Sequence, residues 1–252
     1  MSEDAAPEPR FVQLIPAAPG ALTADDALRD WRDEPVGQGV ALNMIASVDG
    51  RIAVGGRSAP LGSPADRALF HALRARADAV MAGAGTVRIE RYGPIIKRPE
   101  VRERRRAEGL SEQPIAVIVS RSLAIDRTVP LLADPGSTVV VLTPDGGELD
   151  GCAARVEYVR QPTLREGLSE LRARFGVARI LCEGGPSLNG SLAEEGLIDE
   201  LFLAIAPLLV GETDGARAIV ENGAPGTPVP LELRALLAHE SQLFARYVSP
   251  SG

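Results

Sequence analysis

The sequence predicts one α/β domain, with a mostly parallel central sheet, helices on both faces, and antiparallel strands at the C-terminal end. Three observations predict it. From about residue 39 onward, apolar strips alternate with amphipathic helical stretches, the pattern of strand–helix–strand units. Two of those strips, IAVIVS (115–120) and TVVVLT (138–143), are β-branched and apolar throughout, as strands buried on both faces are. The final stretch, LELRALLAHESQLFARYVS, reads as two terminal strands forming a hairpin.

Composition bounds the function. A chain of 252 residues, 45% apolar and 24% charged, can bury one large core or two modest ones. Its 27 basic and 34 acidic residues leave a net charge of −7, which argues against nucleic acid as the main partner. Two cysteines, Cys152 and Cys182, are too few for a disulfide scaffold or a four-cysteine zinc site. No apolar run approaches the roughly 20 residues of a membrane helix. The start, MSEDAAPEPR, lacks the basic and apolar stretches of a signal peptide. A cytoplasmic protein is expected.

The elements follow in order. Residues 1–38 read as an N-terminal extension, partly flexible, with a loose tail over 1–10, an apolar strip over 11–15, and a short helix opened by Thr23. Residues 39–252 read as a single domain. Its first strand covers 40–46 and ends in the turn SVDG. A helix follows, with Ser63 at the N-cap, Pro64 at the first position, Asp66 in the first turn, and Ala65, Leu69 and Leu73 along one face. Residues 79–82 form a short strand, and a second helix starts near Thr86. The charged segment 97–108 is expected to be a solvated helix or lid. Strands over 115–120 and 138–143, a helix over about 163–175, and the strand ARILC follow. A helix over about 187–195 closes at Gly196, a strand follows through DELFLAIA, and a Gly/Pro-rich loop (222–230) precedes the hairpin.

In open α/β sheets, ligands sit beyond the carboxyl ends of strands, where helix N-termini present free amides. Three turns here suit that place. GAGT (83–86) lets backbone approach a phosphate, with Thr86 capping a helix or bonding the ligand. EGGPSLNGSL (183–192) offers two glycines, Pro186 and three small polar side chains at a helix start, a natural seat for a pyrophosphate. Glu183 before it is a structural cap or an active-site carboxylate. In ASVDGR (46–51), Asp49 either holds a tight turn or flanks a cleft. Arg67, His71 and Arg74 share one helix face, which is either solvated or suited to a substrate phosphate. Two distant histidines give poor support to a Ser-His-Asp triad or a histidine-rich metal site, and no metal is expected. The phosphate loop GxxxxGK[ST], the GxGxxG fingerprint and the zinc-deaminase signature are all absent.

The order of ASVDGRIA, SPADR, LRARADAVMAGAGTV and EGGPSLNGSLAEEGLIDELFLAIAPLLVG resembles the riboflavin-biosynthesis pyrimidine reductase family, the reductase part of the bifunctional deaminase/reductase. The resemblance covers about residues 39–248. It implies a three-layer dihydrofolate-reductase-like fold and a homodimeric, NADPH-dependent enzyme that reduces the ribosyl group of 5-amino-6-(5-phosphoribosylamino)uracil to ribityl. Hydride would add at C1′ of the opened aminosugar. Carried over by position, cofactor contacts would be Ile45, Pro60, Gly83, Thr86, Glu90, Ser120 and the stretch Gly184, Gly185, Pro186, Ser187, Leu188, Asn189, Gly190 and Ser191. Substrate contacts would be Asn43, Ser58, Arg67, Arg74, Arg98 and Glu183. Glu183 and Asp49 are the candidate proton donors, with bound water a third. Arg88, Arg91 and Ser120 are candidates for a 2′-phosphate contact. Three departures stand out: Asn43 for a family lysine, Gly62 for a threonine or serine, and Glu90-Arg91-Tyr92 for an acidic pair and proline. They keep open a dihydrofolate or pterin reductase on the same fold, or a non-catalytic NADPH-binding protein.

Overall fold

The computed structural model describes residues 7–34, 37, 39–211, 218–221 and 228–250. Residues 1–6 of the expected tail over 1–10 and most of the expected loop over 222–230 lie outside them.

Eleven strands among the described residues make one sheet: β1 (Phe11–Ile15), β2 (Ala21–Leu22), β3 (Val40–Ser47), β4 (Ala79–Gly83), β5 (Ile115–Val119), β6 (Thr138–Leu142), β7 (Arg155–Val159), β8 (Ile180–Cys182), β9 (Ile198–Ala206), β10 (Glu232–His239) and β11 (Gln242–Val248). Their order is β2-β1-β10-β11-β9-β3-β8-β4-β5-β6-β7. Pairing is parallel from β9 through β7 and antiparallel from β9 outward through β11, β10, β1 and β2. The mixed sheet follows from the connections. Helices link the parallel strands except for β6 and β7, which a loop over 143–154 joins, while a two-residue turn joins β10 to β11 and forces them antiparallel.

Among the described residues, seven α-helices flank it: α1 (Ala24–Ala27), α2 (Pro64–Arg76), α3 (Ala84–Ile89), α4 (Pro99–Ala107), α5 (Pro130–Ala133), α6 (Leu164–Phe175) and α7 (Pro186–Glu194). α1 to α5 contribute Ala24, Leu69, Leu73, Val87, Val101 and Leu132 to a core on one face of the sheet. α6 and α7 contribute Leu168, Leu171, Leu188 and Leu192 to a second core on the other. The predicted cap of α2 forms, Ser63 accepting from Asp66 N–H, and Thr163 caps α6 in the same way, accepting from Glu166 N–H.

Three expectations are corrected. The sheet does not start near Gly39: β1 pairs with β10, and Phe11 is fully buried edge-on against Phe244 at 5.4 Å. Trp31 is buried as well, its Nε1–H donating to Glu200 at 3.1 Å. The segment 97–108 is not simply solvated. Within α4, Arg105 is fully buried and donates to the carbonyls of Ala75 (2.8 Å) and Ala77 (2.9 Å), capping the C-terminal end of α2. Finally, β7 and α5 lie in a stretch the sequence reading left without elements.

Candidate active site

The sheet brings the predicted turns together. β8 lies between β3 and β4, so three consecutive strands deliver residues 46–51, 183–191 and 83–86 at their carboxyl ends. Gly83 N–H donates to Gly184 O at 3.0 Å, joining the β4 and β8 turns through their backbones. Gly184 (φ 88°) and Gly185 (φ 93°) hold left-handed backbone that other residues resist. The packing there is close as well. A Cβ on Gly185 would lie 3.0 Å from Thr86 Oγ1, and one on Gly184 would lie 3.1 Å from Met44 Sδ. α7 then starts from Gly185 with Pro186 in its first turn, and no side chain caps it.

Beside this floor stands a clamp. Arg74 donates from Nε to Glu183 Oε1 and from Nη2 to Glu183 Oε2, each at 2.6 Å. The Tyr92 hydroxyl donates to Glu183 Oε2 at 2.5 Å. The Arg74 guanidinium also lies 4.1 Å from the Phe70 ring centroid. Burial works against the Arg74 charge, but the Glu183 carboxylate outweighs it and holds the pKa above the ordinary arginine value. Burial, reinforced by the Glu183 charge, raises the Tyr92 pKa well above 10.

This geometry corrects two readings. Arg74 is a buried partner of Glu183, with both forks of its guanidinium committed, so it is not a free guanidinium for phosphate. Glu183 already accepts three hydrogen bonds, which suits a fixed acceptor and not a proton donor. A third correction concerns Asp49. It accepts from Ser47 Oγ (2.5 Å), Val210 N–H (3.1 Å) and Gly211 N–H (2.7 Å), and these bonds, Ser47 first, bring its pKa down to about 2. Asp49 therefore ties its turn to the chain after β9 and is unfit to deliver a proton.

The remaining predicted residues separate by position. Ser58 donates from both N–H (3.1 Å) and Oγ (3.0 Å) to Glu90 Oε1, so these two form one lock at the rim beside Pro60. Ser120 is buried at the end of β5, its N–H given to Leu142 O. Asn43 and Ile45 share the β3 face turned toward α2, while Met44 faces the other side. The Asn189 side chain is corrected: it is fully buried behind Gly184 and donates to Ile219 O at 2.8 Å, so it braces the turn from below. The Leu188 side chain lies in the core, and Gly190 is buried within α7. Ser191 Oγ donates back to Ser187 O. Arg67 and Arg98 are exposed, Arg98 lying 3.6 Å from Glu100. Arg91 is tied to Thr128 and Asp126.

Two residues were missed as site residues. Tyr92 was read only as a departure at the end of a helix, and its reach to Glu183 spans 91 positions. Asp66 was read as a first-turn acid of α2, a local signal that says nothing of the cavity its side chain lines. Among the described residues, no three His, Cys, Asp or Glu side chains gather as metal ligands would, and no helix is long and apolar enough to cross a membrane.

Residues 38–243 match the family model described as the RibD C-terminal domain. A 2,5-diamino-6-ribosylamino-4(3H)-pyrimidinone 5′-phosphate reductase of Archaeoglobus fulgidus is 30% identical over 181 residues, 69% of this chain and 83% of that protein. A pyrimidine reductase-like protein of Corynebacterium diphtheriae has the same fold, with a TM-score of 0.75 at 24% identity over 92% of this chain and all of that one. So does a diaminohydroxyphosphoribosylaminopyrimidine deaminase/5-amino-6-(5-phosphoribosylamino)uracil reductase of Thermotoga maritima, with a TM-score of 0.68 at 19% identity over 90% of this chain and 60% of that one.

Proposed function

The chain belongs to the RibD C-terminal domain family, and from that premise we propose that it is an NADPH-dependent reductase converting the ribosylamino group of a phosphorylated aminopyrimidine to a ribitylamino group. The observation that carries this reading is the meeting of the two glycine turns, Gly83–Thr86 against Gly184–Gly185, where Gly83 N–H bonds Gly184 O and both Gly184 and Gly185 hold positive φ. That cradle suits a dinucleotide, whose pyrophosphate needs backbone at close range. Residues 184–187 and Thr86 would hold the phosphates, Ile45 would flank the nicotinamide, and Ser120 with Arg88 would approach the 2′-phosphate. When bound, the reduced nicotinamide supplies the hydride.

The chain's own residues do the rest. Arg74 and Tyr92 hold Glu183 in one orientation, so that its oxygens present a fixed acceptor to the hydroxyl or amine of the opened sugar. With Arg74 committed, the substrate phosphate falls to cations at the rim. His71 senses several of them: burial first, then the charges of Arg74, Arg98 and Lys97, lower its pKa. We assign the phosphate to Arg98, Lys97 and Arg67. The proton reaches the substrate from bound water.

A homodimer and a cytoplasmic location belong to the same proposal. One ladder row across the antiparallel half reads Val12, Ala238, Leu243 and Ile205, and the next reads Ile15, Leu236, Ala245 and Leu203. On this face Val12 is 50% and Ile15 41% exposed, an apolar surface that a second copy would cover. A monomer in sedimentation at micromolar concentration would refute the dimer.

Nicotinamide absorbance, followed with the aminopyrimidine ribosyl phosphate and with dihydrofolate in parallel, tests the activity. Turnover of the first is expected. Gly185→Ala should raise the KM for NADPH about tenfold, the equivalent of about 1–2 kcal/mol of left-handed strain. Oxidation with dihydrofolate alone, or saturable NADPH binding without turnover, would overturn the reading.

A further inference from the structure

Between Tyr92 and the first turn of α4 the chain runs as a loop over residues 93–98. Backbone bonds fix both of its ends. Tyr92 N–H donates to Val87 O (3.0 Å) and Tyr92 O accepts from Leu131 N–H (2.9 Å), while Arg98 O accepts from Val101 N–H (3.2 Å) as α4 begins. In the middle, Arg74 reaches Ile95 O only at 3.4 Å, and the closer hold comes from Gln113. Gln113 Oε1 accepts from Ile96 N–H and Gln113 Nε2 donates to Ile96 O, each at 2.8 Å. One amide thus takes both backbone groups of Ile96, as a neighbouring strand would. Ile95 and Ile96 are buried, but apolar burial is non-directional and sets depth, not position along the chain. The amide sets that position. Gln113 is itself braced: its carbonyl accepts from Ser111 Oγ at 2.7 Å, and Ser111 O accepts from Nε of Arg105 at 2.8 Å. A line of bonds therefore runs from the end of α2, through Arg105 and the loop before β5, to Ile96. Lys97 and Arg98 follow directly, and both are exposed.

We propose that Gln113 is a positioning residue: by holding Ile96 it sets where Lys97 and Arg98 stand, and so the distance from these cations to the Glu183 carboxylate. This rests on the reductase reading above, which gives Lys97 and Arg98 the substrate phosphate. Tyr92 is bonded to Glu183 at one end of the segment, and the cations lie at the other. A substrate seated by its phosphate and by its opened sugar feels the span between them. Misplacing one seat by about 1 Å can cost on the order of a hundredfold. Gln113 itself touches neither substrate nor cofactor, and it acts through Ile96. Arg67 stands on α2 and does not depend on this hold, so the loss without Gln113 is partial. Pro94 and Gln113 also border an open polar cleft of about 320 Å³. Water can enter there and pair with Ile96 when Gln113 is shortened, so the fold survives while the position of the cations is lost.

The test is a double-mutant cycle in the full chain, reading KM and kcat with the aminopyrimidine ribosyl phosphate. Gln113→Ala should raise the substrate KM about tenfold and lower kcat by less than about threefold, because seating is lost more than chemistry. In a Lys97→Ala/Arg98→Ala background the same substitution should raise KM by less than about twofold, since no cation is left there to misplace. A merely structural bond pair would cost as much in both backgrounds. Equal penalties in the two backgrounds would overturn the proposal, as would an unchanged KM in folded Gln113→Ala or in Lys97→Ala/Arg98→Ala. If Gln113→Ala fails to fold, Ser111→Ala decides, because Ser111 is exposed and its hydroxyl gives its bond to Gln113 O. A KM rise of about threefold, absent from the Lys97→Ala/Arg98→Ala background, supports the role, and an unchanged KM refutes it. If the chain turns over no substrate, calorimetry with ribose 5-phosphate separates the two readings. Binding that weakens in Gln113→Ala supports the positioning role while overturning the reductase reading. Equal or absent binding in both chains overturns both.

Discussion

At Glu183 three donors from two distant segments meet on two oxygens, and the consequences of cutting one differ from those of cutting another. Glu183→Gln leaves the Arg74 charge buried without its counter-ion and should cost about 3–5 kcal/mol in urea unfolding. Tyr92→Phe removes one hydrogen bond to a charged group and should cost about 1.5–3 kcal/mol, with a smaller loss of turnover. Asp66 gives a pH signature of opposite kind. Its carboxyl, near 3.8 when exposed, is raised by burial to about 6 in the fold, so between those values the folded chain binds more protons than the unfolded chain. Stability contributed by this group is therefore greatest at low pH and is lost as pH rises through about 4 to 6. Asp66→Asn should remove that slope, so the melting temperature above pH 6 should exceed that of the unaltered chain. At this scale the glycine floor was legible, because small residues before a helix are a local signal. The Arg74–Glu183 pair was not. The helical spacing put Arg74 on a basic face, yet residues 92–96 cover that part of α2, with Tyr92 bonded to Glu183 and Ile95 O accepting from Arg74. Nothing local announces that covering.

Among the elements, α4 shows how a charged stretch can be structural. Six basic residues over 97–106 suggest a solvated face, and four of them are exposed or paired at the surface. Arg105 alone turns inward, and burial lowers its pKa to about 10 while its donors close the end of α2. Arg105→Ala should destabilise the chain by about 2–4 kcal/mol in chemical denaturation, because it frees two buried carbonyls and opens a void. NADPH affinity should be little changed, since α2 ends at Arg76 and Ala77, at the opposite end from Asp66. Strands β5 and β6 were legible from β-branched runs, β3 and β4 as shorter apolar strips, and α2 from its Ser63 cap. β7 was not, because Arg155, Glu157 and Tyr158 break the apolar run in a strand only five residues long.

Over the whole molecule, one sheet joins a parallel half that carries the glycine turns of the proposed cofactor site to an antiparallel half that carries the outer apolar face. The N-terminal strands belong to the second half, a pairing between residues more than 220 positions apart that no local pattern encodes. Arg246 and Arg179 also bind Glu200, while Arg246 reaches Glu34, fastening the segment after α1 to β9 and β11. Removing residues 1–32 should expose the β10 edge and the faces of Phe244 and Phe202, and shift the chain into aggregates visible by light scattering.

The three-residue strand β8 enters the sheet between β3 and β4, which precede it by about 100 residues or more. During synthesis, a chain that has emerged only as far as residue 178 lacks β8, so β3 and β4 are joined by no hydrogen bonds at that place, and β9 to β11 are still to come. Closing the gap requires long loops to be drawn in, which makes it a slow step. Arrival of β8 joins β3 to β4 and delivers Glu183, Gly184 and Gly185 in the same event. Capacity to bind the proposed nucleotide should therefore arise together with protection of the β8 amides against exchange, and not before.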